Sequence, residues 1–360
     1  MKDSHESILT VDLLKLENNY RFFRKKISNQ VNIIAVVKAF GYGHGDIEIA
    51  LQLERLGINY FWVADFEEGV VLRKSGIKSK IIVANPGRKS HQQLLEYNLE
   101  PVIYNFHLLN VYGKQGLPCT VHIKFNTGMN RYGFEYCDID TIIKITRSHP
   151  NLNISSICSH LAASEDPTKD DFTFSQLNKF DKICTYFSSN YNHNVQKHIL
   201  NTNGVLRFSE KSYDMVRIGI GLYGLVKNPG IEQIAELKSV IAQIRKIKKN
   251  SSIGYNCSYL SSEEKTIAVI PFGYADGLNR RLGKQNGHVL IKNIKCPILG
   301  NISMDSCVID ITNVEVKEGD SVEIFGKENS VHSICKQLNT IPYEILANLN
   351  RRIKRVYLGK

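Results

Sequence analysis

A chain of 360 residues with 42% hydrophobic content is too long for one comfortable core, so two domains are expected. The formal net charge of +11 favours anionic partners. The basic residues, however, lie in small scattered groups such as RKIKK and NRRIKR, which excludes a nucleic-acid arm and leaves a solvated basic surface. The eight cysteines form no C-x-x-C pair and no spaced Cys/His quartet; they read as reduced core residues of a cytoplasmic protein, with no metal site. The N-terminus is polar, and no run approaches the roughly 18 apolar residues of a membrane span.

Before residue 230, eight apolar strand-like runs alternate with amphipathic helix-like stretches. In chain order they are VNIIAVVKA, NYFWVADF, KIIVANP, EPVIYN, CTVHIKFNTG, ISSICSH, HILNTNG and MVRIGIGLYG. Eight such units predict an α/β fold with an N-terminal (β/α)8 barrel over residues 1–230, the first few residues being free to pair with the second domain. Beyond VKNPG the runs SVIAQIRKI, KTIAVIPFG, GHVLIKN, SCVIDIT and DSVEIFG predict that this domain, over 231–360, is mainly β. A short helical insertion is expected at VHSICKQLNTIPYEILANL.

Barrel chemistry gathers at the C-terminal ends of the strands. Lys38 ends the first run, Lys124 to Arg131 follow the fifth, His160 ends the sixth, Asn203 and Gly204 end the seventh, and Arg217 precedes GIGLYG. Lys38 either carries its amine into water or holds it in a part-desolvated site, where a lowered pKa suits Schiff-base or proton chemistry; one lysine does not decide. Gly204, Gly219 and Ile220 offer backbone N–H groups at the place where barrels commonly hold phosphate. GIGLYG also fits G-x-G-x-x-G, but VKNPG interrupts the chain where a helix should come next, so it is not read as a dinucleotide site. An amine and a phosphate cradle at one mouth point to pyridoxal 5'-phosphate.

The motifs AVVKAFGYGHG, VHIKFNTGMNRYGF, MVRIGIGLYG, IPFGYADGLNRR and GNISMD, in this order, resemble those of alanine racemase, a fold-type III pyridoxal phosphate family, over nearly the whole chain. The resemblance implies a barrel followed by a β domain, and racemisation of alanine that supplies D-alanine for peptidoglycan. It implies that Lys38 bonds the cofactor, Tyr42 contacts its phosphate, His160 packs near its ring and Arg217 faces the ring nitrogen. Arg131 would approach the phenolic oxygen and the substrate carboxylate, and Met304 would offer that carboxylate its backbone N–H. Lys124 matches a lysine often carbamylated in the family.

Counting back from GYADG places the second base on Tyr255. Lys38 would serve the D-face and Tyr255 the L-face, with positive charge from His160 and Arg217 lowering the tyrosine's pKa. In the family the tyrosine and the methionine reach a partner's barrel, which implies a homodimer.

Several residues depart from the family pattern. Gly204 stands where a phosphate-binding serine is usual, Asn126 replaces an aspartate, Asn256 a glycine, Asn301 an arginine, and Arg351 a substrate-pocket tyrosine. These changes leave L-serine or a basic amino acid as alternative substrates. A fold-type III decarboxylase and a non-catalytic cofactor-binding protein are the readings from other classes.

Overall fold

The computed structural model describes residues 4–360. The chain forms two compact units: one holds Glu17–Gly41 and Asp46–Leu222, the other the described residues through Leu16 together with Tyr42–Gly45 and Tyr223–Lys360. Among the described residues no helix is long and apolar enough to cross a membrane.

Strand β1 (Ile8–Asp12) belongs to the second unit; the first is built on β2 (Asn32–Val36), β3 (Tyr60–Val63), β4 (Lys80–Val83), β5 (Leu99–Ile103), β6 (Cys119–Lys124), β7 (Leu152–Cys158), β8 (Gln196–His198) and β9 (Met215–Ile218). They lie in the order β8-β7-β6-β5-β4-β3-β2-β9. The β8–β9 seam is tied by Asp214 N–H to Lys197 O at 3.1 Å and Arg217 N–H to Leu200 O at 3.0 Å, which gives the expected nearly closed barrel. Strands covered on both faces need apolar residues throughout, and Ile33 to Val36 are all buried. Capping residues turn strands into helices: Asp65 accepts from Glu68 N–H at 3.1 Å and Asn105 from Leu108 N–H at 2.9 Å.

One barrel expectation is corrected. The seventh strand ends at His198, because Asn201 caps the helix Thr202–Arg207 by accepting Gly204 N–H at 2.9 Å. Asn203 and Gly204 are therefore helical residues and do not end the strand.

The second unit carries a nine-stranded sheet in the order Gln243–Ile247, Lys265–Ile270, Cys307–Asp310, Ile294–Leu299, His288–Ile291, Ser321–Phe325, Ala235–Val240, β1 and Lys354–Leu358. SVIAQIRKI makes two strands, since Ile241 N–H goes to Asp320 O while Ala242 N–H goes to Val269 O, so adjacent residues pair with different neighbours. The helical insertion is likewise two helices, Val331–Leu338 and Pro342–Ala347, parted by the left-handed Asn339 (φ 52°) and by Pro342.

Candidate active site at the barrel mouth

Lys38 stands two residues past β2, and the four residues after it, Ala39 to Tyr42, all take left-handed backbone angles (φ 52–58°). Such a run is costly outside glycine and needs external support. Glu68 supplies part of it: one carboxylate oxygen accepts Ala39 N–H at 2.6 Å and the other accepts Ala64 N–H at 2.7 Å, joining the ends of β2 and β3. Sequence reasoning missed Glu68, since an acid in the first turn of a helix ordinarily serves its own helix. Although Lys38 opens to solvent, desolvation by the surrounding mouth and the charge of Arg131 lower its amine pKa, partly offset by Glu68.

Tyr42 and the glycines beyond it belong to the second unit. The Tyr42 ring lies 4.7 Å from that of Tyr223 and 5.7 Å from that of Tyr343. At Gly43 and Gly45 a Cβ would strike Leu346 O and the Tyr357 hydroxyl, and both residues have strongly positive φ (79° and 99°), so only glycine fits.

Arg217 on β9 is 5% exposed. Its Nη2 donates to the Ser159 and Ile199 carbonyls and lies 3.1 Å from His160 Nδ1, its Nη1 meets His198 Nδ1, and its guanidinium sits 5.3 Å over the Trp62 ring. Burial lowers its pKa to about 10, which leaves it a cation at neutral pH. His160 is held well below the usual histidine range by burial and by the charges of Arg217, Lys124, Arg131 and Lys38. It is therefore neutral, which corrects the expectation that it shares with Arg217 in supplying positive charge. Lys124, crowded by the same cations, falls to about 8, with desolvation the largest cause.

The residues expected to cradle a phosphate are also arranged differently from expectation. Gly204 N–H is taken by Asn201, and a Cβ at Gly204 would meet Leu161 and Leu200 within 3.2 Å, so this glycine serves packing. A hydroxyl stands two residues earlier: buried Thr202 accepts Gly219 N–H at 3.1 Å and Gly221 N–H at 3.4 Å, which leaves its own hydrogen to donate elsewhere. Ile220 N–H makes no hydrogen bond among the described residues. The LNTNG segment carries this signal in its only hydroxyl residue.

In the second unit Tyr255 is 72% exposed at the start of a short turn, flanked by Gly254 (φ 75°) and Asn256 (φ 61°). Asparagine tolerates this left-handed geometry, which accounts for its replacing glycine. Asn301 anchors the turn by donating Nδ2–H to Tyr255 O at 3.1 Å. Arg352 braces the neighbouring loops, donating to Asp276 at 2.6 Å and Asp305 at 2.7 Å beside Met304, which is 53% exposed.

Asn126 explains itself in the loop that carries Arg131. Its amide nitrogen donates to Asn130 Oδ1 at 2.9 Å and Glu135 Oε1 at 2.8 Å, and its oxygen accepts the N–H groups of Gly128 and Asn130. Aspartate would lose both donations and set two carboxylates face to face. Asn126→Asp should destabilise the protein by about 1 kcal/mol, read as a fall of a few degrees in Tm, and Glu135→Gln in the same chain should restore most of it.

These residues fit pyridoxal phosphate: an amine of lowered pKa, a buried donor-only cation, and spare O–H and N–H donors at the β8 and β9 ends. The family profile "Alanine racemase, N-terminal domain" matches residues 11–227 and "Alanine racemase, C-terminal domain" matches 234–357. An alanine racemase of Rickettsia canadensis is 36% identical, the match covering 97% of this chain and 98% of that protein. A second, from Caldanaerobacter subterraneus, is 34% identical over 95% of this chain and 92% of its own. The Bartonella henselae alanine racemase with covalently bound pyridoxal phosphate superposes with TM-score 0.89 at 29% identity, covering 98% and 99% of the two chains. The Bacillus anthracis alanine racemase with bound L-Ala-P gives 0.93 at 27%, covering 99% and 96%.

Proposed function

We propose, from the premise that this chain belongs to the alanine racemase family, that Lys38 and Tyr255 are the two bases with which it interconverts L- and D-alanine. The observation that carries this is the amine of lowered pKa at the β2 end, set in one barrel mouth with the buried guanidinium of Arg217. Pyridoxal phosphate, when bound, supplies the electron-withdrawing ring that delocalises the charge left as the α-proton departs.

Lys38 would hold the cofactor, and its free amine would exchange the α-proton on the D-face while Tyr255 would do so on the L-face. Two bases are needed because one cannot cross the substrate plane. Arg217 has only donors, so a ring nitrogen facing it would stay unprotonated, which would weaken electron withdrawal and favour prompt reprotonation over transamination. Thr202 Oγ–H and Ile220 N–H would hold the phosphate, Gly219 N–H being spent on Thr202, and the family resemblance assigns the Tyr42 hydroxyl to it as well. Arg131 and the Met304 N–H would orient the carboxylate, and His160 would pack beside the ring.

Lys124 is suited to carbamylation, because a neutral amine adds to carbon dioxide and gives up a proton. With its pKa lowered to about 8 by burial and neighbouring cations, the amine keeps a reactive neutral fraction near neutral pH that shrinks as the pH falls further. Stripping carbon dioxide should lower kcat, bicarbonate should restore it, and labelled carbon dioxide should give a carbamate NMR signal lost in Lys124→Met.

Exposed Tyr255, Met304 and Tyr274 (41%) support a shared-site homodimer, because large apolar side chains gathered on a surface mark interaction sites. Chiral chromatography after incubation with L-alanine, L-serine and L-lysine tests the substrate: D-alanine in clear excess supports this reading. A D-serine or D-lysine preference would mean that Arg351 and its neighbours remade the pocket.

A further inference from the structure

Behind Arg217, a continuous file of polar side chains crosses five strands of the barrel. Glu100 Oε2 on β5 lies 2.9 Å from His122 Nε2 on β6, and His122 Nδ1 lies 2.6 Å from Ser156 Oγ on β7. Ser156 Oγ is 3.0 Å from His198 Nε2 on β8, and His198 Nδ1 meets Arg217 Nη1 on β9. His122, Ser156 and His198 have no exposure, and Glu100 has 8%. Burying this many polar groups is costly unless every hydrogen finds an acceptor.

That condition fixes the direction of the file. Arg217 has no lone pair, so His198 Nδ1 must accept. His198 is kept neutral by burial and by the charges of Arg217 and its neighbours, so its one hydrogen sits on Nε2 and goes to Ser156. Ser156 has a single hydrogen, which passes to His122 Nδ1, and His122 gives its Nε2–H to Glu100. Each group accepts once and donates once, from a cation to a carboxylate. Among the described residues no carboxylate pairs directly with Arg217, whose titratable neighbours include Lys124 and the neutral thiol of Cys158; Arg73 and Cys119 lie near Glu100.

We propose that Glu100, His122 and Ser156 are positioning residues for Arg217. They hold His198 in the one tautomer whose bare Nδ1 fixes the guanidinium, and so set the donor that faces the cofactor ring. This rests on the reading that Arg217 faces that ring. Were His198 to carry its hydrogen on Nδ1, it would point N–H at N–H and push the guanidinium away.

The test is ¹⁵N NMR of histidine-labelled full-length protein, loaded with pyridoxal phosphate and again without it, the signals being assigned by single His→Asn variants. His198 and His122 should both carry hydrogen on Nε2 with a bare Nδ1. In Ser156→Ala the His198 signal should lose this fixed state. At the same time kcat for alanine should fall about tenfold with KM within about twofold, and the bound cofactor's absorbance maximum should move. Ser156→Thr, which keeps the hydroxyl, should restore all three.

A hydrogen on Nδ1 of either histidine, or a doubly protonated His122, overturns the proposal whatever the activity. Unchanged kcat and absorbance in Ser156→Ala also overturn it. Absence of racemisation in the unmodified protein would defeat the functional reading alone, because the NMR signals do not depend on turnover.

Discussion

Lys38→Ala should lower kcat in both directions by roughly ten-thousand-fold or more, since one substitution removes the covalent hold on the cofactor and one of the two bases. The loss should not be structural. Lys38 lies beyond β2 and opens to solvent, and the turn after it is held through the Ala39 backbone by Glu68. Tm should therefore stay within about 1 °C, a surface change usually costing less than ~0.5 kcal/mol. Borohydride treatment of the loaded protein, followed by peptide mass analysis, should fix the cofactor on the peptide containing Lys38 and on no peptide of Lys38→Ala. A cofactor found on Lys124, the other mouth amine of lowered pKa, would reassign the roles of the two lysines.

Tyr255→Phe should cost roughly 10²- to 10⁴-fold in interconversion, the usual worth of a positioned acid or base, while leaving the cofactor bound. Tyr255 is 72% exposed, so removing its hydroxyl disturbs no packing. The informative experiment mixes the two inactive variants. If each site takes Lys38 from one protomer and Tyr255 from its partner, a hybrid of Lys38→Ala with Tyr255→Phe contains one fully intact site. Equal mixing with subunit exchange then restores about a quarter of wild-type activity: half the dimers are hybrids and half of their sites are intact. If both residues act within one chain, the mixture stays inactive.

The barrel is legible in the sequence because its strands are buried on both faces and stand out as continuous apolar runs. Lys38, His160 and Arg217 are legible because charged or imidazole side chains at the ends of such runs are out of place in a core. The hidden features are set by pairing rather than by pattern. Ile294–Leu299 is concealed by Pro297, which lies opposite His288, just before pairing with Cys307–Asp310 begins at Ile298. Thr202 escapes notice because the apolar run before it leads straight into LNTNG, where the Asn201 cap has already begun a helix. Glu68, Glu100 and Ser156 act through backbone or through other side chains on neighbouring strands, and no local spacing reports a partner 22 to 42 residues away.

The most direct measurement monitors L-alanine and D-alanine in separate reactions with the loaded protein, read by circular dichroism until neither changes. Enantiomers have equal free energy, so a racemase must bring both reactions to the same equimolar mixture, with zero final signal and no loss of total alanine. That convergence is the predicted result. A reaction that consumes one enantiomer without producing the other, or that releases carbon dioxide or pyruvate as alanine disappears, would contradict the account.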